Sequence, residues 1–126
     1  MLKDWTSALK GYTYKEGKVV RSHFTPDDLI AALESGKYKK GKRRLWKKDG
    51  NSFCCLGVAA DMCGIPKTHV AYRAMPAHMT AADEAKFMEA WPWLYAGGGG
   101  RISDLAYIND HNETFQPVID RLRSLK

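Results

Sequence analysis

Three groups of residues in this chain have types and spacings that could do chemistry. The first is Cys54-Cys55, because a thiol in the first turn of a helix would feel unpaired N–H groups and the helix dipole, which favour the thiolate. Asp110 and His111, with Asn109 beside them, could complete a cysteine-histidine-carboxamide set if the chain folds them together. The second group is Lys37 to Lys48, which holds eight of the chain's twenty basic residues and no acid. Lys39, Lys40, Lys42, Arg43, Arg44, Lys47 and Lys48, with Trp46 and Tyr38 interleaved, have the composition of a surface that neutralises phosphates and stacks on bases. The third is Gly97 to Gly100 before Arg101, whose backbone N–H groups could cradle an anion. It lacks a Gly-Lys-Ser/Thr, a G-x-G-x-x-G and a clear preceding strand, so a hinge or flexible loop over residues 96–101 is the expectation.

The charge balance sharpens the second group. The net charge is +6, yet removing the run leaves twelve basic residues against fourteen acidic ones. The positive character of the molecule therefore belongs to one short stretch. A bland use of that stretch is a solvated edge strand whose lysines prevent unwanted pairing.

Other chemistries fit less well. Cys63, His69, His78 and His111 give no close ligand pair, and Cys54-Cys55 lacks the intervening residues that let two thiolates face one ion, so no metal and no cofactor are expected. Neighbouring cysteines rarely bridge each other, and three thiols in Phe-Cys-Cys-Leu-Gly-Val-Ala-Ala and after it read as small buried hydrophobes in a reducing, cytoplasmic setting. No apolar run approaches the roughly 18 residues a membrane span requires.

The elements that would carry these groups follow from local signals. Thr25-Pro26-Asp27-Asp28 supplies an N-cap, a first-turn proline and acids at the positive end of a helix over residues 26–35, closed by Gly36. Arg43 to Lys48 has no helical period and runs into Asp49-Gly50, a favoured tight turn, so a β-hairpin with Ser52 to Cys54 is expected. Cys55 to Met62 is apolar on all sides except Asp61 and reads as a buried central helix near residues 55–63, ended by Gly64 and Pro66. Thr80 to Asp83 opens another helix that Pro92 ends. A last helix begins near Thr114, with Phe115, Val118, Ile119, Leu122 and Leu125 on one face. Residues 1–22 read as an arm or short strand. At 126 residues the whole chain is expected to be a single mainly α domain, α+β in detail, of about four helices with one hairpin.

Three segments, "LESGKYKKGKRRL", "SFCCLGVAADM" and "ISDLAYINDHNETFQPVIDRL", together resemble a group of small uncharacterised phage and bacterial proteins. These carry an aromatic-Cys-x-x-Gly segment and an Asn-Asp before a final amphipathic helix, matched here by Phe53, Cys54 or Cys55, Leu56, Gly57, Asp61, Asn109, Asp110, Phe115 and Ile119. The resemblance implies a viral or prophage setting, a mainly helical fold and an accessory role such as interference with a host factor or defence system. It implies no activity.

The leading expectation is a non-catalytic binding protein that contacts a host protein, nucleic acid or nucleotide through its basic hairpin. One alternative is a cysteine-dependent enzyme using Cys54 or Cys55. Another is a structural or assembly protein self-associating through Trp91, Trp93 and Tyr95.

Overall fold

The computed structural model describes residues 23–96 and 100–125 in full, and residues 12–15 and 18–21 as backbone. Among these, two antiparallel strands, β1 (Tyr12–Lys15) and β2 (Lys18–Arg21), come first. The rest of the expected N-terminal arm, and Gly97 to Gly99 of the glycine run, lie outside the described residues.

Helix α1 (Pro26–Glu34) starts as its sequence requires. The Thr25 hydroxyl accepts from the Asp28 amide, and the Asp28 carboxylate accepts from the Thr25 amide at 2.7 Å. Both exchanges satisfy donors that a helix start leaves open. Its buried side chains Leu29, Ile30 and Leu33 recur at helical spacing, and Gly36 after it takes the left-handed φ of +78°.

The basic run is shaped differently from the expected single exposed strand. It forms β3 (Lys39–Lys40), a crossing segment, and β4 (Trp46–Lys47), and both strands pair with β5 (Ser52–Phe53) in the order β3-β5-β4. The β4–β5 pair is the expected antiparallel hairpin, turning at Asp49-Gly50 with Gly50 at φ +81°. β3 runs parallel to β5, and the Gly41 amide prolongs that ladder to the Phe53 carbonyl at 2.7 Å.

Helix α2 (Cys55–Met62) is the central element. Cys55, Leu56, Gly57, Val58, Ala59 and Ala60 are all buried, and α2 packs on α1, β5 and α4 (Gly100–Asp110). Gly57 is dictated by this packing: a Cβ there would stand 1.7 Å from the Leu45 carbonyl oxygen. The backbone of the basic crossing segment therefore lies directly on the helix, with the fully buried Leu45 side chain beneath it. At the other end of α2 the Ala59 carbonyl accepts from the Trp91 indole at 3.0 Å.

Helix α3 (Ala81–Ala90) is capped by the Thr80 hydroxyl and ends at Trp91-Pro92. α4 is an addition to the pattern: Gly100 and Arg101, expected in a flexible loop, are its first two residues, and Asn109-Asp110 its last two. α5 (Gln116–Ser124) has Pro117 in its first turn and buries Val118, Ile119 and Leu122. It is tied to α4 by Arg121–Asp104 at 3.1 Å and to α1 by Arg123–Glu34 at 2.8 Å. The architecture is mainly α, with five α-helices and a small three-stranded sheet among the described residues.

Candidate functional site: a cationic arch clamped on a helix end

Residues 41–45 form an arch between β3 and β4, and its shape is set by the C-terminal end of α4. Asn109 is fully buried and reaches three elements. Its side-chain oxygen accepts from the Cys55 amide at 3.1 Å, satisfying one of the open donors at the start of α2. Its amide nitrogen donates to the Gly41 carbonyl at 3.0 Å and to the Asp110 carboxylate at 3.2 Å. Asp110 in turn accepts from the Arg43 amide at 2.7 Å. Lys40 completes the clamp by donating to the carbonyls of Asn109 and Asn112 at 2.7 and 2.8 Å, where a helix end leaves acceptors open. Burial and the neighbouring Lys42 charge push the Lys40 amine below its ordinary value, while the Asp110 and Glu113 carboxylates oppose the shift.

The clamp sorts the eight residues assigned to the contact surface. Lys39, Arg43, Arg44 and Lys48 are exposed and Lys47 is half-buried. Among the described residues none of these five has a carboxylate within ion-pair distance. Lys42 pairs with Glu113 at 2.5 Å, and this contact holds the Glu113 carboxyl below its usual range. Lys40 is committed to the two carbonyls. Trp46 is placed in the core with 6% of its surface exposed, its indole donating to Asn51 at 2.8 Å and the Lys67 ammonium 5.1 Å over its ring. Tyr38 is also committed: its hydroxyl donates to Asp61 at 2.5 Å and its ring meets Phe53 edge-on. Neither interleaved aromatic offers the base-stacking face that the composition suggested.

A basin of about 330 Å³ opens beside the arch, lined by Lys39, Lys40, Lys42, Lys47, Ser52 and Glu113 among others. Its floor is close-packed, since a Cβ on Gly41 would come 2.7 Å from the Ser52 hydroxyl. Asp49 also lines it, so two carboxylates, one of them paired with Lys42, stand against four ammonium groups, and the basin keeps a net positive character that favours anions.

The alternative catalytic set is only half assembled. Cys54 and Cys55 are buried at the start of α2, and Asp110 and Lys40 lie near enough to act on both thiols. Burial dominates and pushes Cys54 up to about 11 and Cys55 well above its ordinary value, outweighing the N–H groups of Leu56 and Gly57 that pull Cys54 down. His111 does not join them: its ring stacks on Tyr107 at 4.0 Å and its Nδ1 bonds the Tyr107 carbonyl at 2.8 Å. Trp91, Trp93 and Tyr95 are also not one exposed face. Trp91 is fully buried, and Trp93 donates its indole N–H to the Phe24 carbonyl at 2.8 Å. Among the described residues no three His, Cys, Asp or Glu side chains converge on a point that could hold a metal ion, and no helix is long and apolar enough to cross a membrane.

The molecule is thus a small mainly α domain built around a buried helix that starts under a cationic arch. It belongs to the family of a domain of unknown function, DUF8296, whose model matches residues 25–90, a little over half of the chain. The match takes in α1, the whole arch and sheet, α2 and α3, and stops short of α4 with Asn109 and Asp110. No curated protein and no solved structure matches the chain.

Proposed function

We propose that the protein is a non-catalytic binding module whose cationic arch takes a phosphate-bearing polyanion, a nucleic acid or a nucleotide. The observation that carries this reading is the clamp. Lys40, Asn109 and Asp110 spend six hydrogen bonds fixing the residue 40–43 backbone and the start of α2, so that Lys39, Arg43, Arg44, Lys47 and Lys48 are displayed on a fixed base without carboxylate partners among the described residues. Pre-ordering cations in this way lowers the entropy lost when a ligand binds. A lysine strand that served only to stay wet would need no such support.

The phage or prophage setting implied by the sequence resemblance belongs to the same proposal, with a host polyanion, or a host factor that acts on one, as the target. Fluorescence anisotropy with a labelled oligonucleotide tests it. Wild-type protein should bind and release with added salt, and Arg43→Glu, Arg44→Glu and Lys47→Glu combined should abolish binding while leaving the melting temperature near wild type. Binding that survives the triple reversal would sink the proposal.

A further inference from the structure

We infer that the arch serves single-stranded nucleic acid, with Tyr72 and Tyr107 as stacking platforms; this rests on the phosphate-binding reading above and names its ligand class. Tyr72 and Tyr107 are the aromatic side chains exposed among the described residues, at 53% and 64%. The Tyr72 segment is bonded to the foot of the arch, and Tyr107 stands on the helix that clamps it. The Tyr72 amide donates to the Trp46 carbonyl at 3.0 Å and the Leu45 amide to the Arg73 carbonyl at 2.6 Å, so residues 71–73 run on beyond β4. Tyr107 lies one helical turn before Asp110, which grips the Arg43 amide, and residues three apart on a helix are neighbours. His111 backs one face of the Tyr107 ring at 4.0 Å, which fixes the ring while most of it stays open.

Backbone conformation is an independent observation. Arg43 and Tyr72 sit at φ +67° and +60°, a region that a bulky side chain enters only under strain and that glycine or asparagine would occupy readily. Each of these strained positions carries an exposed side chain able to meet a nucleotide, one a cation and one a ring. Strain of this kind concentrates where presentation of a side chain matters. Bases with free faces stack on exposed rings while their phosphates follow a cationic track, which is the pattern of single-strand binding. A duplex hides those faces.

The test uses the full chain and three labelled probes: oligothymidylate, the corresponding duplex, and inorganic polyphosphate of similar charge. Oligothymidylate should bind most tightly. Tyr72→Asn and Tyr107→Ala should each weaken it by about 5- to 100-fold, as loss of one base–ring stack does, while leaving polyphosphate unchanged. Tyr107→Phe should retain binding. Tyr72→Asn should also raise the melting temperature as binding falls, a pairing that a merely structural tyrosine would not give. If oligothymidylate and polyphosphate bind alike and neither tyrosine variant matters, or if duplex binds better, the stacking inference is overturned and the phosphate-binding reading stands. If no probe binds, both fall.

Discussion

Asn109→Leu tests the clamp without touching a cation. The side chain is 0% exposed and serves the Cys55 amide, the Gly41 carbonyl and the Asp110 carboxylate. Leucine has the same branched heavy-atom skeleton and is bulkier, so no cavity forms, but the Cys55 N–H and the Gly41 carbonyl lose this partner in the interior. A buried polar group left unpaired costs about 1–3 kcal/mol, so the pair loses about 2–6 kcal/mol. Added apolar burial returns about 1–2 kcal/mol of this. The central expectation is a destabilisation of about 2.5 kcal/mol, a large part of the roughly 5–15 kcal/mol that holds a domain of this kind together. Urea unfolding followed by tryptophan fluorescence should show the midpoint falling at constant slope. Hydrogen exchange should show the Arg43 amide losing protection as the arch loosens, and oligonucleotide affinity should drop although every cation is intact. A loss of stability below about 0.5 kcal/mol, the range of ordinary surface substitutions, would refute the clamp.

Other consequences are as specific. Gly57→Ala forces a methyl to within 1.7 Å of the Leu45 oxygen; backbone must move, and a loss of at least about 3 kcal/mol or insoluble protein is expected in denaturation or expression trials. Native protein at pH 8 should resist alkylation at Cys54 and Cys55 and react fully only in denaturant, because both thiols are buried and their pKa values raised; rapid native labelling of Cys54 would revive the nucleophile reading. The same burial makes stability fall at high pH. Above the ordinary 9.0 the unfolded chain releases the Cys54 proton that the native state keeps to about 11, so on the order of 3 kcal/mol is lost across that window. Cys54→Ala should flatten that part of the pH–stability curve. Tyr72→Gly should change stability little or raise it by up to about 1 kcal/mol, since relief of left-handed strain opposes glycine's larger unfolded-state entropy.

Legibility in the sequence followed how local each determinant was. α1 was readable because Thr25, Pro26 and Asp28 encode its start within four residues, and α2 because its residues are apolar all round. The Asp49-Gly50 turn gave the β4–β5 hairpin. β3 was not readable: a two-residue parallel strand has no period, and only its pairing across to β5 defines it. α4 escaped because its inward positions are Ile102, Leu105 and Asn109, and a polar residue on the buried face breaks the apolar stripe. That residue is the one that clamps the arch. The basic run was legible as charge but not as geometry, since the division between cations that hold the fold, such as Lys40, and those that face solvent depends on where α4 ends. Trp46 looked like a stacking ring because composition cannot show which face of so short a strand is covered. Exposed Tyr72 and Tyr107 carried no local signal. The one available hint was the Asn109-Asp110 pair two residues after Tyr107, which opens a run of six hydrogen-bonding side chains from Asn109 to Thr114.

The salt dependence of oligothymidylate binding, measured for wild type and for the Arg43→Glu, Arg44→Glu, Lys47→Glu protein, tests the central claim most directly. If Lys39, Arg43, Arg44, Lys47 and Lys48 all neutralise phosphates, log Kobs against log salt should fall with a slope near −3.5, about −0.7 per phosphate contacted on a single strand. The reversed protein should show no measurable binding at any salt. A flat slope in the wild type, or the same slope and affinity in the reversed protein, would contradict the account.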